Sequence, residues 1–143
     1  FAKVYPNVWK SEKMRNVGAS AKLLAMYFLT SPSYCMVGIY EQPKELIRKH
    51  TGLSHEGLDQ AFSELIRVGF VRYDDATEVV WVVDMAVSQV SDGRLSESQE
   101  KGVLNELARL SIECQFPFVD EFIQHYRERY PFLPRDAEEL CFV

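Results

Sequence analysis

The sequence predicts an α+β fold, mainly α-helical with a small β-wing. Three observations carry that prediction. Residues 43–67 hold two short helical patterns around a tight turn. Two runs rich in β-branched and aromatic residues follow at 70–73 and 79–83. From residue 97 the apolar spacing returns to a helical period. Helix, turn, helix and hairpin in that order describe a winged helix-turn-helix, here followed by a C-terminal helical hairpin. The expected division is a first domain over 1–90, a linker over 91–96 and a helical extension over 97–143.

Val4 to Trp9 reads as an extended segment on a sheet edge, because Pro6 cannot donate to a ladder, and Trp9 is expected in the core. Beyond Gly18, Ala19–Thr30 is a strong helix with almost no polar face. Leu23, Leu24, Tyr27 and Phe28 are therefore expected to be buried at the centre of the domain. Ser31-Pro32-Ser33 ends it, and Met36–Tyr40 is a short strand able to pair with the wing.

The next helix covers 43–51. Pro43 suits its first position, and Gly52 stands where a helix-ending residue is wanted. Ser54 is a good N-cap for the following helix, whose Leu58, Ala61, Phe62 and Leu65 form one apolar stripe up to Gly69. Asp74–Glu78 is the hairpin turn between the wing strands. Asp84–Val90 supplies another helical turn or two, and Ser91-Asp92-Gly93-Arg94 is the boundary. Ser96 and Gln99 have capping-box spacing, so a helix starts near Glu97, with Val103, Leu107, Leu110 and Cys114 as its stripe. A last helix opens at Pro117, with Val119, Phe122, Ile123, Tyr126 and Tyr130 on one face. Asp136–Leu140 adds a short turn.

An ordered series of short stretches resembles a known family. Ala21–Pro32, Val37-Gly38-Ile39-Tyr40, Thr51-Gly52-Leu53-Ser54 and Leu65–Tyr73 with Asp74 look like the N-terminal winged-helix domain of phage replication initiators. They are similar also to replisome organisers of the DnaD type. The resemblance covers residues 4–90. It implies a non-enzymatic protein that binds origin duplex DNA or replication partners and helps recruit helicase or loader. Winged-helix domains of this type also often self-associate as a homo-oligomer.

Charge and side-chain chemistry qualify the DNA expectation. The net charge is −5, with residues 1–92 carrying 10 basic and 11 acidic groups (net −1) and 93–143 carrying 6 and 10 (net −4). The extension is thus a protein-contact element before it is a DNA binder. On the second helix of the pair, Glu56, Gln60, Ser63 and Arg67 fall opposite the apolar stripe, flanked by Asp59 and Glu64. Gln60 suits adenine, and Arg67 suits guanine or phosphate. The carboxylates around them repel a phosphate backbone, as do Asp74, Asp75 and Glu78 at the wing tip. The better cationic surface is the first helix, with Lys44, Arg48 and Lys49, extended by Lys10, Lys13, Arg15 and Lys22 if the N-terminal arm folds nearby.

The DNA-contact candidates are therefore Lys44, Arg48, Lys49, Gln60, Ser63 and Arg67. The partner-contact candidates are Glu56, Asp59, Glu64, Tyr126 and Tyr130. The competing reading is a winged helix used purely for protein contacts, as an adaptor or a phage-encoded inhibitor of a host protein. A contiguous positive patch favours DNA; cations scattered or paired with carboxylates favour the protein partner.

No phosphate loop, nucleophile elbow or zinc-protease motif is present, and no cofactor is expected. His50, His55 and His125 lack the neighbours of a metal or catalytic site. Cys35, Cys114 and Cys141 are too widely spaced for a disulfide framework and read as reduced thiols of a cytoplasmic protein. No apolar run reaches a membrane span. The chain opens on Phe1 instead of Met, as a fragment of a longer protein would.

Overall fold

The helices and strands stand close to their sequence-predicted places because each carries its own start and stop chemistry. The computed structural model describes residues 6–31, 36–86 and 95–142. In chain order it has α1 (Glu12–Arg15), α2 (Ala19–Thr30), β1 (Ile39–Glu41), α3 (Lys44–Thr51), α4 (His55–Arg67), β2 (Val71–Asp74), β3 (Val79–Val82), α5 (Glu97–Ala108) and α6 (Val119–Tyr126). Short 3₁₀ helices cover Pro6–Lys10 and Ala137–Phe142, and one π-helical turn covers Arg109–Glu113.

Caps explain several boundaries. Pro43 is the N-cap of α3, one residue ahead of its expected place, and Gly52 ends the helix in the left-handed region at φ 78°. The Ser54 side chain accepts the Gly57 N–H at the start of α4. Ser96 and Gln99 form both halves of a capping box on α5. Residues 87–94, including the expected linker start and boundary, lie outside the described residues, as does Cys35.

The three strands form one antiparallel sheet in the order β1-β3-β2. Ile39 pairs with Trp81 and Val71 with Val82, so β1 joins the β2–β3 hairpin as expected. Alternation along the central strand divides the core in two. Val80 and Val82, with Tyr40 and Val71, face Leu24, Phe28, Leu58 and Leu65 from α2 and α4. Val79 and Trp81, with Ile39, face Leu107, Phe122, Ile123 and Tyr126 from α5 and α6. The sheet is thus covered on both sides, which is why β3 is buried at every position. Fully burying one such leucine or phenylalanine contributes about 1.5–3 kcal/mol.

Gly38 lets β1 lie this close. Its φ is +81°, and a Cβ there would meet the Val82 carbonyl at 2.8 Å and Met85 Cβ at 2.9 Å.

Several expectations are corrected. Pro6–Lys10 is a 3₁₀ helix, not an edge strand, since proline's fixed φ also suits the start of such a turn. Val8 turns toward the core, and the next position, Trp9, is carried outward and is 57% exposed. Leu23 is 44% exposed because it lies about 200° around α2 from the buried Ala21. The last helix begins at Val119, not Pro117, after Gln115 and Phe118 adopt left-handed backbone at φ 53° and 77°. Among the described residues, no helix is long and apolar enough to cross a membrane.

Candidate functional site

The turn between α3 and α4 is held by its own side chains. Gly52 N–H donates to Arg48 O at 2.8 Å, and Thr51 Oγ1 donates to Ile47 O while accepting Leu53 N–H. Arg48 belongs to the same clamp. Its guanidinium donates to Leu53 O at 3.3 Å, lies 3.3 Å from Glu45 and donates to His55 Nε2 at 2.7 Å. An arginine holding three partners in place presents little unpaired charge to solvent.

Lys44 is engaged as well. Its Nζ lies 2.9 Å from Asp75 Oδ1 in the turn between β2 and β3 and 3.8 Å from Asp59 Oδ1 on α4. The same ammonium sits 5.2 Å from the centroid of Phe62 and 5.4 Å from that of Tyr73, within cation–π range. Burial first, then the carboxylates of Glu78, Asp75, Asp74 and Glu41, push the Tyr73 phenol well above its ordinary pKa. The phenol stays protonated and donates to Gln42 O at 2.9 Å. Of the three α3 cations, Lys49 alone is fully on the surface, beside the exposed His50, whose Nδ1 meets Tyr27 OH at 2.8 Å.

The outward face of α4 is as the periodicity predicts: Glu56, Asp59, Gln60, Ser63 and Arg67 are exposed. Ile66, on the same face, is 47% exposed and was not anticipated. Arg67 also donates to Asn16 O at 3.1 Å. Glu64 is diverted from that face: its carboxylate accepts Gly18 N–H at 2.9 Å, at the start of α2, where Gly18 has no side chain to cap the helix. A carboxylate there also meets the positive end of the α2 dipole. Glu64 is a long-range cap, and this takes it out of the partner-contact set.

Lys13, from the N-terminal arm, does not enlarge the α3 surface. Lys13 Nζ donates to Gly69 O at 3.0 Å and to Asp84 Oδ2 at 2.7 Å, beyond the C-terminal end of α4. Arg48 touches His55 at the other end, about 18 Å away at 1.5 Å per residue. Of these cations, Lys13, Lys44 and Arg48 are paired with carboxylates.

Tyr126 and Tyr130 are buried, at 2% and 3% exposure, which corrects their assignment as contact residues. Tyr126 OH donates to Val83 O at 2.7 Å, and the two rings stack at 5.3 Å. Their i, i+4 spacing marks a buried face equally well whether the cover is a partner or the chain's own sheet. Here it is the sheet. His125 lies 3.5 Å from Asp84, which also binds Lys13. Among the described residues no group of three histidine, cysteine or carboxylate side chains is placed to hold a metal.

No protein-family model, curated protein or solved structure matches the chain.

Proposed function

We propose that the chain is a non-enzymatic winged-helix protein that works chiefly through protein contacts, as an adaptor or recruiter of the replication-initiator kind. Its contact surface is the outward face of α4. The observation that carries this reading is the state of the cations a DNA-binding unit would need. Lys44 is paired with Asp75 and Asp59, and Arg48 with Glu45. On α4, Glu56 and the half-exposed Ile66 are left open. An exposed carboxylate near the start of a helix and an exposed aliphatic side chain near its end suit a basic partner with an apolar anchor.

The test is an amide NMR titration with a lysine- and leucine-rich amphipathic peptide as probe. Shifts confined to residues 56–67, and lost in Glu56→Gln/Asp59→Asn, are expected. Shifts elsewhere, or unaltered in that variant, overturn the assignment.

Duplex DNA is the second reading, favoured by Lys49, Gln60, Ser63 and Arg67, which are exposed on α3 and α4. These side chains supply donors for phosphate and for purine edges. The resemblance of residues 4–90 to replication initiators favours this second reading.

A further inference from the structure

The wing turn reaches back across the molecule to a lysine that duplex binding would use. Asp75, from the turn between β2 and β3, places Oδ1 2.9 Å from Lys44 Nζ, and Asp59 approaches from α4 at 3.8 Å. The rings of Phe62 and Tyr73 support the ammonium, and Phe62 is itself anchored by Phe28 at 5.7 Å. The lysine stem is therefore held in one place by packing, while its charge is satisfied by two carboxylates. Those carboxylates are 72% and 79% exposed, so the ion pairs are weakly held and open to competition from solvent, salt or another anion. A strong, buried pair would be a structural lock. A weak one over a fixed ammonium is suited to exchange.

We infer that Asp75 and Asp59 form an autoinhibitory contact, occupying Lys44 as a phosphate would and withholding it from a nucleic-acid backbone. Neutralising the two aspartates frees the ammonium, still positioned by Phe62 and Tyr73, for one phosphate contact. The inference rests on the duplex-binding reading above. It explains how a helix-turn-helix carrying cations at 44, 48 and 49 can present an acidic exterior. Removing the wing-tip charge would then change DNA affinity through Lys44, not merely through net charge.

The experiment is a fluorescence-anisotropy titration of a labelled mixed-sequence duplex at 0.05–0.2 M salt. The proteins are wild type, Asp59→Asn/Asp75→Asn, and Glu56→Gln/Glu78→Gln as a control of equal charge change. Each is also made with Lys44→Met, which keeps an apolar stem over the two rings. All are checked for folding by circular dichroism. One added phosphate contact corresponds to a gain of about eightfold at 0.1 M salt and a salt slope steeper by about 0.9.

That gain is expected for the aspartate pair beyond the control, and it is expected to vanish with Lys44→Met. Binding that appears only in the aspartate variant and depends on Lys44 supports the same conclusion. A gain equal to the control's, or one that survives Lys44→Met, overturns the autoinhibitory contact while leaving the duplex reading standing. Folded proteins none of which binds at 0.05 M salt overturn both.

Discussion

Replacing Phe122 by alanine tests whether the C-terminal helices and the sheet share one core. Phe122 is fully buried, with its ring 6.3 Å from Trp81 on β3 and 4.7 Å from Tyr126. Truncating a phenylalanine in such a setting costs about 3–5 kcal/mol, the sum of lost transfer energy and the cavity left behind. With a urea m-value of about 2 kcal/mol/M, the unfolding midpoint falls by about 1.5–2.5 M. The chain has two tryptophans, so a Trp9→Phe background makes Trp81 the sole fluorescence reporter of the sheet. Trp81 emission and far-ultraviolet circular dichroism should then move together, by the same amount. Should the alanine protein fail to fold, Ile123→Val, also fully buried, gives the same comparison at about 0.5–1.5 kcal/mol. A loss of helical signal with Trp81 emission unmoved would show that 97–142 unfolds on its own and refute the shared core.

Two other substitutions address single contacts. Glu64→Ala removes the carboxylate that accepts Gly18 N–H and should lower stability by about 1–2 kcal/mol, read as a fall in thermal midpoint; no change would mean that α2 is capped by water equally well. Tyr73 has a folded pKa above its unfolded value of 10.0, so its contribution is whole below that pH and is lost as pH rises past it. Tyr73→Phe, which gives up the bond to Gln42 O at about 1 kcal/mol, should therefore lose stability less steeply than wild type above pH 10. Parallel urea midpoints for the two proteins from pH 9 to 11 would contradict the shift.

Local chemistry made much of the fold legible. Gly52, Ser54 and the Ser96–Gln99 pair satisfy backbone groups within a few residues of themselves, so their boundaries can be read from the string. The stripes of α4 and α6 were equally plain, since burial follows a period that the chain itself sets. Partner identity was not legible. Tyr126 and Tyr130 announce a covered face but not its cover. Lys44 and Arg48 looked like a cationic stripe because Asp59 and Asp75, which neutralise the first, come from other elements. Glu64 appeared to flank the outward face, yet its acceptor role depends on the approach of α2. Trp9 was misplaced for a different reason: a short 3₁₀ turn turns neighbouring residues to different sides, so Val8 took the inward position.

The most direct test of the central claim, that the outward face of α4 meets protein and not DNA, is a duplex titration over about 0.05–0.2 M salt, a range across which phosphate contacts weaken steeply. Wild type is compared with Lys49→Glu/Gln60→Ala, two exposed positions on α3 and α4. The account predicts weak binding that differs little between the two proteins. Tight wild-type binding that falls steeply with salt and disappears in the variant would contradict it and make the helix-turn-helix a DNA reader.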